Sequence, residues 1–226
     1  MTQEFAVIVA GGSGSRMNSD VPKQFLAVNG LPVLMHTILA FRAYSESLHI
    51  ILVLPETQFA FWQNLCGEYR FNEKYFLVAG GSTRFHSVQN GLKSIGSGHG
   101  LVAVHDGVRP VISRDIIAAG FHTAREFGSA VTSVPLKESI RTIEPGIGNK
   151  ALDRTHLRLV QTPQTFRLDW MSDAFATEYQ ETFTDCASVL ESKGYPIQLI
   201  DGAYENIKIT TPEDLRWAET YLRQIS

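Results

Sequence analysis

The sequence predicts an α/β fold: one Rossmann-like, mostly parallel sheet flanked by helices, with an extended β-hairpin arm standing off it. Three observations carry that reading. Short β-branched runs alternate with amphipathic segments, as βαβ units require. The chain has 226 residues, 44% of them hydrophobic, enough to bury the core of a single domain spanning 1–226. One interval, 137–159, breaks the alternation with two β-prone limbs around a turn.

"FAVIVA" (5–10) is a continuous apolar run, the pattern of a strand buried on both faces of a parallel sheet. "IILVL" (50–54), "FLVAG" (76–80), "LVAVHD" (101–106) and "SAVTSVP" (129–135) repeat it. Between them, "TQFAFWQNLCGEY" (57–69), "RFHSVQNGLKSI" (84–95) and "RDIIAAGFHTAREF" (114–127) space their apolar residues at helical intervals. Ser113 is placed to cap the last of these helices and Gly128 to end it. Within 137–159, "SIRTI" and "ALDRTHLRLV" flank the turn-forming "EPGIGNK" and make the arm. A two-stranded ribbon is marginal in water, so the arm needs cover from the domain or from a second subunit. A short strand holding Lys208 precedes a terminal helix, "TTPEDLRWAETYLRQI", with Thr211 as N-cap, Pro212 at the first helical position and Asp214 three residues after the cap.

Composition narrows the function classes. The net charge is -3, from 20 Lys and Arg against 23 Asp and Glu, so no bulk field recruits nucleic acid or an anionic membrane. The first residues carry neither a basic targeting region nor an apolar run of membrane length, and the chain reads as cytoplasmic. Cys66 and Cys186 form no metal-ligand spacing and no disulfide framework, and read as packing residues.

The chemistry is concentrated in "VIVAGGSGSRMNSDVPKQF" (7–25). A glycine-rich turn directly after a strand lets backbone N–H groups approach phosphate oxygens without a Cβ in the way. It is not a Walker A loop, and Met17 stands where a dinucleotide fingerprint needs its third glycine, which disfavours a dehydrogenase. Two separated cations sharpen the signal: Arg16, a planar fork of donors, and Lys23, a compact ammonium whose approach Pro22 stiffens. Asp106 closes "LVAVHD" at the carboxyl end of its strand, where open α/β sheets bind ligands.

"AGGSGSRMNSDVPKQF" resembles the Gly-x-Gly-x-Arg-Met and Pro-Lys-Gln signature of nucleotidyltransferases that condense a nucleoside triphosphate with a sugar or polyol phosphate. "GGSTRFHSVQNGL" (80–92), "HDGVRP" (105–110), "DRTHLRLVQTPQTF" (153–166), "TDCASVLE" (184–191) and "ENIKITTPEDL" (205–215) then stand in the order of the methylerythritol phosphate cytidylyltransferase family of the non-mevalonate isoprenoid pathway. The motifs cover nearly the whole chain. The resemblance implies CTP and a small polyol phosphate as substrates, in-line attack at the α-phosphorus without a covalent intermediate, and Mg²⁺ or another divalent cation bridging the triphosphate. It implies Arg16, Lys23 and Lys208 as catalytic cations, and Ala10, Gly11, Gly12, Ser13 and Gly14 as the nucleotide cradle. Gly80, Gly81 and Ser87 would hold cytosine and ribose, and Asp106 would lie near nucleotide, acceptor and metal. Arg109, Ser139, Arg154 and Thr162 would bind the acceptor, with Ser139 and Arg154 carried by the arm into the partner subunit's site of a homodimer.

Within these motifs and the arm the sequence departs from some relatives at three positions. Ser82 replaces an acidic residue, Ser139 replaces a threonine, and Gly107 stands where alanine is common, an exchange of small residues expected to be tolerated. Ribitol-5-phosphate cytidylyltransferases share the loop, the "HD-x-x-RP" motif and "QTPQ", and differ mainly in the acceptor. The spacing from Arg16 to Pro22 and the "LDRTHLRLVQTPQ" segment favour methylerythritol phosphate. A catalytically silent nucleotide-binding module is the reading outside the enzyme class.

Overall fold

The computed structural model describes residues 2–12, 21–96, 98–144 and 146–225. In chain order its strands and α-helices are β1 (Gln3–Val9), β2 (Ala27–Val28), β3 (Leu31–Pro32), α1 (Val33–Tyr44), β4 (His49–Leu54), α2 (Phe59–Glu68), β5 (Phe76–Ala79), α3 (Arg84–Ile95), β6 (Gly100–Asp106), α4 (Arg114–Phe127) and β7 (Ser129–Pro135). There follow β8 (Ile140–Glu144), β9 (Gly148–Leu152), β10 (Arg158–Arg167), α5 (Leu168–Ala174), α6 (Cys186–Ser192), β11 (Leu199–Asp201) and α7 (Pro212–Ile225). Seven strands make one sheet in the order β11-β7-β10-β6-β1-β4-β5. Strands β5, β4, β1 and β6 run parallel, β10 runs antiparallel between β6 and β7, and β11 lies parallel to β7 at the far edge. The predicted mostly parallel, helix-flanked sheet is the observed one.

Alternate residues of the central strands feed two cores, because successive strand side chains point to opposite faces. Ala6, Ile8 and Ala10 pack with Leu34, Ile38, Phe41, Ile117 and Phe121 from α1 and α4. Val7 and Val9 face Phe85, Val88, Leu168, Met171 and Leu190 on the other side, from α3, α5 and α6. Each of the fully buried large side chains contributes about 2 kcal/mol of burial. Ser113 caps α4 by accepting the Ile116 N–H at 3.3 Å, and Gly128 ends it in the left-handed conformation at φ +87, as predicted. At the start of α7, Asp214 Oδ2 accepts the Thr210 and Thr211 N–H groups at 2.8 Å.

Three helices were not predicted. Helix α1 starts behind Pro32 with no side-chain cap and carries apolar residues all round, so it lacks both the start signal and the amphipathic stripe. Helices α5 and α6 are each of 7 residues, too short to show a period. The arm is also narrower than 137–159. Its hairpin pairs Ile140–Glu144 with Gly148–Leu152, and the rest of the expected second limb leaves it for the main sheet as β10. Pro163 falls in the register shift of β10 between Val160 and Gln164, where the ladder needs no proline N–H. Lys208 lies in irregular chain rather than on the expected strand.

The topology fixes where a ligand fits. From β1 the chain crosses through α1 to β4 on one side, and from β5 it crosses back through α3 to β6 on the other. The crevice between the carboxyl ends of β1 and β6 is therefore the switch point of the sheet. Ala10 follows β1 there and Asp106 ends β6. Among the described residues, no helix is long and apolar enough to cross a membrane.

Candidate active site

The described residues line a pocket at this switch point, built from Ala10, Gly11, Gly12, Lys23, the 81–84 turn, Ser87, Asp106 and Lys208. Lys23 reaches it from a tight turn, Lys23–Phe25, that is buried throughout. Phe25 anchors that turn against Phe61 and Trp62, while the Gln24 amide donates to the Ala10 carbonyl at 2.9 Å and to Gln58 Oε1 at 2.8 Å. The Lys23 stem runs alongside Gly12, whose absent Cβ would sit 3.6 Å from Lys23 Cε. Gln24, the residue next to the lysine, therefore ties the lysine's turn to Ala10 at the start of the glycine-rich stretch.

Helix α3 points its N-terminus at the same pocket. Thr83 caps it by accepting the His86 N–H at 3.3 Å, leaving the helix's partial positive charge and free amides toward the ligand space. Ser87 is not free to serve a base with its proton: its hydroxyl donates to the Thr83 carbonyl at 2.9 Å and accepts the Gly81 N–H at 3.1 Å. It holds the 81–83 turn in shape. Gly80 N–H donates to the Leu54 carbonyl at 2.8 Å, so that end of the turn is locked to β4.

Asp106 is the electrostatic centre. Its carboxylate meets Arg84 Nε at 3.3 Å, Arg109 Nε at 3.3 Å and Lys208 Nζ at 3.1 Å. Burial alone would raise its pKa, but Arg84, Lys208 and Arg109 hold it well below the usual carboxylate range. With Lys23 also lining the pocket, the described residues set four cations against one carboxylate, a positive surplus among them. Such a site fits polyanionic phosphates.

Lys208 needs no strand to reach Asp106, because the chain is pinned on either side of it, at Asn206 and at Ile209. The Asn206 amide donates to the Thr162 carbonyl at 2.8 Å and to Gln161 Oε1 at 3.2 Å, its carbonyl accepts Arg109 Nη1 at 2.7 Å, and the Ile209 N–H donates to the Val108 carbonyl at 2.9 Å.

Several expected residues thus converge: Ala10, Gly11, Gly12, Lys23, Gly81, Ser87, Asp106 and Lys208 line one pocket, with Arg109 bound to Asp106. Ser13, Gly14 and Arg16 lie outside the described residues. Ser139 and Arg154 are on the arm, exposed and away from the pocket lining, and Arg154 donates to the Lys137 carbonyl of its own chain. The Thr162 side chain is buried, with its hydroxyl accepting the Asp106 N–H at 3.1 Å, so it serves the protein rather than presenting itself to a ligand. Asp106, expected at the metal as well, shares its oxygens with three cations in this structure. Among the described residues, no group of three or more His, Cys, Asp or Glu could hold an ion.

Gly107 also differs from expectation. A Cβ there would stand 2.7 Å from Ala10 Cβ and 2.9 Å from Leu34 Cδ1, so alanine does not fit without a shift. Arg84 is the residue that sequence reasoning passed over. The only signal was its place in "GGSTRFHS", one turn before Ser87 on a helix aimed at the pocket.

The sequence model of the 2-C-methyl-D-erythritol 4-phosphate cytidylyltransferase family matches residues 5–224. The chain is 47% identical over 216 residues to the 2-C-methyl-D-erythritol 4-phosphate cytidylyltransferase of Phocaeicola vulgatus, covering 96% of this chain and 98% of that one. To the protein of the same name from Porphyromonas gingivalis it is 49% identical over 221 residues, covering 97% and 98%. Among solved structures, the 4-diphosphocytidyl-2C-methyl-D-erythritol synthase of Anaerococcus prevotii superposes with a TM-score of 0.82 at 27% identity, covering 98% of this chain and 96% of that one. The 2-C-methyl-D-erythritol 4-phosphate cytidylyltransferase of Thermus thermophilus gives 0.77 at 30% identity, covering 99% and 100%.

Proposed function

We infer the activity from one premise: the chain belongs to the 2-C-methyl-D-erythritol 4-phosphate cytidylyltransferase family. It is a nucleotidyltransferase of isoprenoid biosynthesis that joins CTP to 2-C-methyl-D-erythritol 4-phosphate, giving 4-diphosphocytidyl-2-C-methyl-D-erythritol and pyrophosphate. Our proposal concerns how this chain's residues do it. The observation that supports it is the excess of cations over Asp106 at the switch point of the sheet.

An acceptor phosphate oxygen attacks the α-phosphorus of CTP, a P–O bond forms, and the bond to the pyrophosphate oxygen opposite breaks. The acceptor is already ionised near neutral pH, with a second pKa of about 6, so no general base is required. The work left to the protein is to bring two anions together and to oppose the charge that develops on the leaving group. Gly11, Gly12 and the N-terminus of α3 supply backbone donors to the nucleotide. Lys23 and, by family resemblance, Arg16 neutralise the triphosphate, while Lys208 and Arg109, held by Asp106, meet the acceptor phosphate. In this reading Mg²⁺ or another divalent cation would sit with the triphosphate near Asp106, whose carboxylate is shared three ways among the described residues; when bound it would add positive charge to the phosphoryl oxygens.

Dimerisation is part of the proposal. The arm is a separate two-stranded sheet with Ile143 and Ile147 more than 80% exposed at 81% and 82%, apolar surface that a second copy would cover. Arg154 and Ser139 would then enter the partner subunit's site.

Pyrophosphate release from CTP, measured with methylerythritol phosphate and ribitol 5-phosphate in turn, tests the acceptor. The first should be favoured by about a hundredfold or more in kcat/KM, as expected where buried polar groups read hydroxyl positions. Equal or reversed rates would assign the site to the other polyol.

A further inference from the structure

We propose that His105 is a positioning residue for this reaction: through Thr162 it holds the turn that carries Asp106 and Arg109. The proposal rests on the reading of function above and assigns a role to a side chain that touches neither substrate. His105 is wholly buried at the end of β6, with its ring edge-on to Phe41 at 5.0 Å between centroids. The side chains of Ala103 and Val104 before it are buried and carry no polar atom. An imidazole at such a place carries a desolvation cost that an apolar side chain avoids, unless both ring nitrogens are satisfied. Both are. Nε2 lies 3.1 Å from the Arg109 carbonyl and Nδ1 lies 3.1 Å from Thr162 Oγ1.

The direction of every bond follows. A carbonyl only accepts, so Nε2 carries the proton, and in the neutral ring Nδ1 is then an acceptor. Nδ1 accepts a hydrogen bond from the Thr162 hydroxyl, which leaves the Thr162 oxygen to accept the Asp106 N–H. The relay runs Asp106 N–H to Thr162 O–H to His105 and on to the Arg109 carbonyl, bracing both ends of the turn whose side chains form the ion pair. The Arg109 N–H donates to the Asp106 carbonyl at 3.0 Å inside the same turn. The brace also reaches Lys208: the Thr162 carbonyl accepts from Asn206, two residues before it. One threonine and one imidazole thus set the relative placement of Asp106 and of the two cations, Arg109 and Lys208, proposed to meet the acceptor.

The test compares His105→Phe, which keeps a ring against Phe41 but no hydrogen bond, and Thr162→Val, which keeps shape but no hydroxyl, with Thr162→Ser. In the purified full-length protein, His105→Phe and Thr162→Val should each lower kcat/KM for the acceptor about tenfold or more, with the KM for CTP changed less than about threefold. Thr162→Ser should recover kcat/KM to within about threefold of wild type. Because the two residues act through one relay, the double variant should lose no more than the worse single one. A nitrogen-15 spectrum of the imidazoles should show His105 as the Nε2–H tautomer, with its Nδ1 signal displaced in Thr162→Val.

Unchanged acceptor kinetics in folded Thr162→Val, additive losses in the double variant, or an Nδ1–H tautomer would each overturn the proposal. A loss in Thr162→Ser as large as in Thr162→Val would do the same, since the hydroxyl would then not be what matters. Failure of the functional reading shows differently, as wild-type protein inert toward CTP and methylerythritol phosphate.

Discussion

His105 and Asp106 are adjacent in the chain and titrate in separate windows. Burial, foremost, takes His105 from its ordinary 6.5 to about 4, against the pull of the Arg109 carbonyl and Asp106 and with the help of the Arg109 and Arg84 charges. The folded protein therefore binds this proton later than the unfolded chain does. The contribution of His105 to stability is complete above pH 6.5 and is lost as pH falls toward 4, at up to about 1.4 kcal/mol per unit. Asp106 behaves as a depressed carboxylate, so its contribution is lost only below its ordinary 3.8. Urea-unfolding free energies of wild type and His105→Asn should accordingly converge between pH 7 and pH 4.5 by about 2 kcal/mol. Parallel curves would mean that His105 is not held neutral. At this scale Lys23, Asp106 and Lys208 were legible because short motifs carry them; Arg84 was not, because a helix's first arginine is ordinarily a solvated one. Thr162 was legible as important but assigned to the ligand, since a sequence does not show which way a hydroxyl faces.

The elements that position these residues were legible where the hydrophobic period is clean. Strands β1, β4 and β6 are unbroken apolar runs, and α4 carries both of its caps in the sequence. Helix α1 was lost because it is buried on most of its surface, which removes the stripe that marks a helix, and β10 was lost because a proline argues against a strand. Both losses matter for the site: α1 packs Leu34 under the 106–109 turn, and β10 delivers Thr162 to it. Gly107 shows how tightly these elements close. A methyl group there meets Ala10 on the nucleotide turn and Leu34 on α1, neither of which can move far. Gly107→Ala should therefore cost about 1–3 kcal/mol in urea unfolding, the usual cost of overpacking, and slow turnover by displacing Ala10. Unaltered stability and kcat would show that the β1 and β6 ends have room to part.

At the scale of the whole molecule, the arm is rooted firmly and covered poorly. Lys137 sits over the Tyr204 ring at 3.4 Å from its centroid, and the Tyr204 hydroxyl donates to the Pro135 carbonyl at 2.8 Å, so the base is tied to the body. Beyond the base, Ile143, Ile147 and Leu152 are exposed on a ribbon that pairs with no other strand among the described residues. If a second copy covers that ribbon across a two-fold axis, each arm delivers its Arg154 to the other subunit's acceptor site, where the fork of a guanidinium suits a phosphate. Lys23→Ala should lower kcat about a hundredfold as a lost preorganised cation, and Arg154→Ala should chiefly weaken acceptor binding. Mixed and allowed to exchange subunits, the two weak variants should complement. A heterodimer then has one site with both lesions and one with neither, and should recover about half the activity of a wild-type dimer if its sites act independently. Native mass spectrometry verifies exchange in the same samples. Recovery is expected only for a shared site; heterodimers without recovery would mean that Arg154 serves its own subunit, and a monomer in sedimentation would remove the arm from dimerisation altogether.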